Sequence, residues 1–378
     1  MSGMYGNYII RRARFEPCDP GEGMTEEYFT RMGDGRRVYM TRQQIMDEIH
    51  EGMSEGADAA RIPSLTDDEM EAICDVICMK TRIVGVEPGE EAIISNDGGQ
   101  LKITQDSGGS GVGIDMGRGD AILLHERAFA HDTFEIGWTD YSIKAIKPII
   151  ANEMQALEQF NAIATIPLFY GAMPNMGLYS VPDGPYGNPA DLMRCYRIEE
   201  AREASEKACD HLARDITYVT TLLDSVGCEG FNFDTVGSAG DADFVATLRG
   251  CEAYREISPN AYINFGMSSE HVIGIHGEME YDGKVVAGMY PHEQVKLAAK
   301  AGANVFGAAV NTNTCKSYAW NVARAACMIK ECVRQSPIPV HADLGMGVGG
   351  VPMHETPPVD ATSRSSKLMI ELAHVDGV

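Results

Sequence analysis

GFNFD (230–234), AYINFG (261–266) and PVHADL (339–344) share one alternation. In the first, Phe231 and Phe233 fall on one face of an extended strand, and Asn232 and Asp234 on the other. In the second, Tyr262 and Asn264 oppose Ile263 and Phe265. In the third, His341 and Asp343 oppose Val340, Ala342 and Leu344. A strand of a doubly wound sheet is covered by helices on both faces and reads as a continuous apolar run. Here one face is repeatedly polar near the strand's C-terminal end. That pattern fits a (β/α)8 barrel of the TIM type, which turns this face inward and opens its site at the C-terminal rim.

Working outward, strand-like and helix-like segments alternate after Pro148. Strands are expected at 163–171, 228–235, 261–267, 302–309 and 337–345, with the start of another at 374–378. Helices are expected at 191–225, 241–256, 291–301, 315–334 and 358–373. Repeated βα alternation means a parallel sheet. Upstream, residues 41–53 form a helix capped by Thr41. A second helix follows Pro63, with Thr66 and Glu69 as a capping box and Met70, Ile73 and Ile77 as its apolar stripe. Residues 82–105 read as short antiparallel strands, 107–119 as a glycine-rich loop and 1–30 as a loose extension. The expected organisation is therefore one α/β domain over 31–378, a barrel with N-terminal helices and an antiparallel hairpin. Closing eight strands would take roughly 80–100 residues more than those after Ile163 provide. The final barrel strands are thus expected to be missing from this chain.

The 378 residues carry 31 Lys+Arg against 55 Asp+Glu, a formal net charge of −24. That balance argues against nucleic acid or an anionic membrane as partner, since both need a basic surface, and it suits a cationic substrate. No run of 18 apolar residues occurs and the first twenty residues lack a secretory h-region. The ten cysteines are scattered with no C-x-x-C, which reads as reduced thiols in a cytoplasm.

Short motifs add little. GMGVGG (345–350) matches G-x-G-x-x-G, but Val351-Pro352 and Pro357-Pro358 stand where a helix should open, so it reads as a loop. Cys74 and Cys78 sit at i,i+4 among apolar neighbours and read as core. No nucleophile elbow G-x-S-x-G is present. The convergent polar set at the strand ends is Asp234, His341 and Asp343, with Tyr170, Asn232, Asn264, Asn311 and Asn313 around it.

Longer runs are more specific. RMGDGRRVYMT (31–41), HERAFAHDTFEIG (125–137), IPLFYGAMPNMGLY (166–179), PDGPYGNPADLM (182–193), GFNFDTVGSAGDAD (230–243), SPIPVHADLGMGVGG (336–350) and ETPPVDATSR (355–364) occur in order. Through them the chain resembles the dimethylamine methyltransferases of methylotrophic methanogens, from about Arg31 to its last residue. The resemblance implies a (β/α)8 barrel that passes a methyl group from dimethylamine to a corrinoid. The corrinoid is carried by a cognate partner protein, so no cofactor is bound by this chain, and self-association of the barrels is plausible. It also implies a catalytic pyrrolysine, encoded by in-frame UAG, directly after a segment similar to VDGV (375–378). On that expectation the printed chain stops before its electrophile, at position 379, and is inactive as it stands. An imine can capture an amine nitrogen, whereas the standard covalent-catalysis side chains are themselves nucleophiles.

Strand-end geometry, not a matched motif, gives the supporting roles. Asp234 would face the ammonium, His341 and Asp343 would set protonation, and Tyr170, Asn232, Asn264, Asn311 and Asn313 would orient the amine. Two rival readings use the same residues or none. Asp234, His341 and Asp343 could be ligands of a metal-dependent barrel hydrolase or aldolase, although no metal is expected on the leading reading. The chain could also be a non-catalytic scaffold that binds the corrinoid protein.

Overall fold

The computed structural model describes residues 26–90, 92, 133–135, 147–150, 168–170, 179–225, 228–233, 240–266, 269–274, 277–342, 344 and 358–378. The glycine-rich stretches 107–119 and 345–350 lie outside them.

The chain enters as an antiparallel hairpin, β1 (Glu27–Arg31) and β2 (Arg37–Thr41). The first strand thus begins inside the stretch expected to be a loose extension. Thr41 then caps α1 (Arg42–Ala60): its hydroxyl accepts from Gln44 N at 3.2 Å while its own N–H donates to Gln44 Oε1 at 2.8 Å. Thr66 and Glu69 make the same reciprocal box on α2 (Asp67–Cys78), whose first turn carries Asp67, Asp68 and Glu69 at the positive end of the helix dipole. Cys74 and Cys78 are buried in this layer, as the spacing predicts.

Residues 82–90 are irregular, not the start of the expected antiparallel strands. Side chains from residues 363–371 serve this part of the chain. The Arg364 guanidinium donates to the carbonyls of Val76 at 3.1 Å, Met79 at 2.7 Å and Thr81 at 2.8 Å, while Val84 N–H donates to Ser363 Oγ at 3.3 Å and Glu87 N–H to Glu371 Oε1 at 2.7 Å. Backbone groups met by side chains in this way need no partner strand.

Among the described residues the main sheet has seven strands in the order β11-β10-β7-β6-β4-β5-β3. Here β3 is Thr133–Glu135, β4 Lys147–Ile150, β5 Leu168–Tyr170, β6 Cys228–Phe233, β7 Tyr262–Phe265, β10 Val305–Ala308 and β11 Val340–Ala342. A small hairpin, β8 (Glu280–Tyr281) with β9 (Lys284–Val285), stands apart. Between β5 and β6 come α3 (Pro189–Arg194) and α4 (Ile198–Asp224), two helices where one was expected. They part at Tyr196, whose φ of 59° is left-handed. The order continues through α5 (Asp241–Ile257), α6 (Pro291–Lys300), α7 (Tyr318–Gln335) and α8 (Val359–Glu371).

The expected barrel does not close among the described residues. β4 runs antiparallel between β5 and β6, and no described pairing joins β3 to β11. The architecture is an α/β fold with a mixed sheet. Its half from β6 to β11 is nonetheless parallel and strictly sequential, β6-β7-β10-β11. Right-handed crossovers between sequential parallel strands put every connecting helix on the same side of the sheet. That leaves the other side free of these helices, as the polar alternation requires.

The helix side is aromatic. Phe231, Phe233, Phe265 and Phe306 are fully buried. The Phe231 ring meets Tyr254 of α5 edge-on at 4.6 Å between centroids, and Phe265 stacks on Phe306 at 6.1 Å. Burial of side chains of this size contributes about 1.5–3 kcal/mol each, so this aromatic layer anchors the sheet to its helices. Further out, α1 lies directly on α7. A Cβ at Gly52 would stand 2.1 Å from the Trp320 carbonyl oxygen, so only glycine permits the approach. Among the described residues no helix is long and apolar enough to cross a membrane.

Candidate functional site

The polar face of the parallel half is built by register. Asn232 of β6 is paired with Asn264 of β7, Asn264 with Val305 of β10, and Gly307 of β10 with His341 of β11. Because side chains alternate, Asn232, Tyr262, Asn264, Gly307 and His341 all lie opposite the phenylalanine layer. Three of the sequence-predicted residues, Asn232, Asn264 and His341, therefore share one surface.

His341 and Asn264 also touch, although a strand separates them. The His341 Nε2 lies 3.3 Å from Asn264 Oδ1. The ring crosses β10 at Gly307: a Cβ there would stand 2.8 Å from His341 Cε1 and 2.9 Å from Nε2. The missing side chain is the opening through which imidazole and amide meet. Burial lowers the His341 pKa to about 4, so the ring is neutral at pH 7. Its Nδ1 is shielded from solvent and has no hydrogen-bond partner among the described residues; the same holds for Asn232 Oδ1. Buried acceptors without donors are costly, and two on one face mark a place where a donor would be welcome.

The remaining predicted residues are placed differently. Asp234 and Asp343 lie outside the described residues. Tyr170 ends β5, its backbone paired with Glu135, on the far side of β4 from Asn232. Asn311 and Asn313 are exposed on the loop after β10. Asn311 donates its backbone N–H to Glu270 Oε2 at 2.9 Å. Asn313 uses its side-chain oxygen locally, accepting from Cys315 N at 3.0 Å to shape the turn before α7.

Three charged residues, Glu270, Arg324 and Asp243, were missed by sequence reasoning. Glu270, on the loop after β7, forms a buried two-pronged pair with Arg324 of α7, whose Nε also reaches Glu55 of α1. Burial raises the Glu270 pKa, but the guanidinium outweighs it and holds the carboxyl below its ordinary value. Asp243, in the first turn of α5, is buried, and its Oδ1 has no hydrogen-bond partner among the described residues. Burial, helped by the neighbouring Asp241 charge, pushes its pKa up to about 7. The signal for Arg324 was an arginine on an otherwise apolar stripe. Asp243 had none, since GDAD reads as an ordinary solvated helix start.

Among the described residues no group of three His, Cys, Asp or Glu side chains is arranged to hold a metal. The model for dimethylamine methyltransferase (Dimeth_PyL) matches residues 26–378, which makes this α/β chain, with its polar strand face, a methyltransferase by class. The chain belongs to that family. No solved structure matches the chain.

Proposed function

We propose that this protein moves a methyl group from dimethylamine to the Co(I) corrinoid of a separate corrinoid protein, and that the polar face around Asn264 and His341 receives the amine. The observation that carries the reading is the family match across residues 26–378. In the net reaction the C–N bond of dimethylammonium breaks, its electron pair leaves with neutral methylamine, and the Co(I) electron pair forms the Co–C bond.

The chain's own residues have three tasks on this reading. The acidic surface, with a net charge of −24, raises the local concentration of a cationic amine. The polar face holds the nitrogen by hydrogen bonds to acceptors that have no partner among the described residues. Positioning of this kind contributes about 7–11 kcal/mol at best when the reacting atoms are held in line. Neutral His341 can then take or return the amine proton. Asp234 and Asp343 stay in the proposal as supporting carboxylates.

The pyrrolysine implied by the resemblance belongs, on this reading, directly after Val378. Supporting it, Gly377 forms a parallel bridge to His341: Ala342 N–H donates to Gly377 O at 3.0 Å, and Asp376 N–H to Val340 O at 2.8 Å. The segment Asp376–Gly377 thus runs parallel beside β11 at His341. The barrel is retained in this reading because the sequential parallel strands β6, β7, β10 and β11 put their helices on one side.

The test is expression of the full locus in a host that makes pyrrolysine, with the corrinoid protein and dimethylamine, following methyl-corrinoid formation spectroscopically. Methylation that depends on readthrough is expected. A full-length product that methylates nothing, or a codon other than UAG after that of Val378, would overturn it.

A further inference from the structure

We infer that Asn264 and Gly307 act together as a tautomer lock on His341, holding it as the Nε2–H form so that Nδ1 presents a bare lone pair to an N–H of the alkylammonium substrate. The inference rests on the proposed amine site and assigns positioning roles within it.

The geometry carries the argument. A neutral imidazole has one N–H and one lone pair, and which nitrogen bears the proton is set by the partner of the other. Asn264 Oδ1 can only accept, and it lies 3.3 Å from Nε2. The proton therefore sits on Nε2, and Nδ1 becomes the acceptor. That acceptor is buried and has no donor among the described residues. The arrangement requires the ring to cross β10, which is possible only because position 307 carries no Cβ. The fitting ligand is a small cation with at least one N–H. A secondary ammonium has two such donors, and Asn232 Oδ1 is a second shielded acceptor on the same face. A quaternary ammonium has none.

Long-range proton–nitrogen correlation spectra of the 15N-labelled chain read the tautomer directly, with His341→Gln identifying the signal. In the unmodified protein His341 should show an unprotonated Nδ1 and a protonated Nε2. Asn264→Asp keeps the acceptor and should keep the single tautomer. Asn264→Leu and Gly307→Ala should each give a mixture of forms. A purely structural role for Asn264 would leave the nitrogen shifts unmoved. An Nδ1–H form in the unmodified protein, or an unchanged tautomer in Asn264→Leu, would overturn the inference. The spectrum of the unmodified chain decides even if a variant fails to fold. Titration then separates the two readings. Dimethylammonium should move the Nδ1 resonance and tetramethylammonium should not. A correct tautomer that ignores dimethylammonium leaves the lock standing and overturns the placement of the amine.

Discussion

Arg324 and Glu270 meet as a buried two-pronged ion pair, Nη1 donating to Oε2 at 2.8 Å, between helix α7 and the loop that follows β7. The same carboxylate oxygen accepts the Asn311 N–H, so one charge pair ties a helix to two loops at the C-terminal ends of the strands.

Removing the arginine leaves the Glu270 carboxylate charged in a site that excludes water, so Arg324→Met is expected to destabilise the chain by about 3–5 kcal/mol, the usual cost of stranding one partner of a buried pair. Glu270→Gln should cost less, because the guanidinium keeps its pairing with Glu55. Chemical denaturation should show a lower midpoint with an unchanged slope. The double variant should lose less than the sum of the two, because neither charge is then stranded.

Asp243 gives a stability that depends on pH in a defined direction. Its carboxyl titrates near the ordinary value of 3.8 when unfolded and at about 7 when folded. Between those values the unfolded state sheds a proton that the folded state retains, so stability falls as pH rises, and the full penalty stands above pH 7. Asp243→Asn should raise the melting temperature at pH 7.5 and hardly change it at pH 4.

His341 slopes the other way over an overlapping window. Its ordinary value is 6.5, and in the folded chain it is about 4. As pH falls below 6.5 the unfolded state takes up a proton that the folded state refuses, so stability declines until about pH 4. His341→Gln should remove this acid-side decline. Melting curves of both single variants and the double variant, taken from pH 4 to 8, resolve the two contributions.

The contact between α1 and α7 leaves no room at Gly52, where a Cβ would lie 2.1 Å from Trp320 O. Gly52→Ala must push two packed helices apart, and overpacking of this kind costs about 1–3 kcal/mol. Gly85 has nothing within 4 Å of a built Cβ, so Gly85→Ala is the matched control with little effect. Calorimetry of the pair tests the claim.

Thr41→Ala and Thr66→Ala each remove one reciprocal capping box and should each cost about 1 kcal/mol. Urea denaturation of the single and double variants shows whether the two costs add.

Local chemistry was legible in the sequence wherever the determinants are close along the chain. Thr66 and Glu69 are three residues apart, and their capping box is where the spacing puts it. The alternation in GFNFD and AYINFG correctly placed phenylalanine toward the helices and asparagine toward the opposite face. Long-range pairing was not legible. Nothing in residues 147–150 announces an antiparallel strand inserted beside β6, because a run as short as KPII pairs equally well in either direction. Glu27–Arg31 was missed as a strand because its pattern makes sense only opposite Arg37–Thr41. Within the candidate site, Asn264 and His341 could be assigned to one face by parity alone. Their contact across Gly307 could not, since it depends on the register of three strands. Arg324 and Glu270 are 54 residues apart, and although the apolar stripe around Arg324 marks it, nothing local names Glu270 as its partner.

Gly307 carries an evolutionary corollary. A relative that acquires a methyl group at that position loses the passage the imidazole uses, and a relative without imidazole at 341 has no reason to keep the gap. Substitutions at the two positions should be inherited together, as a single trait written at two places in the gene.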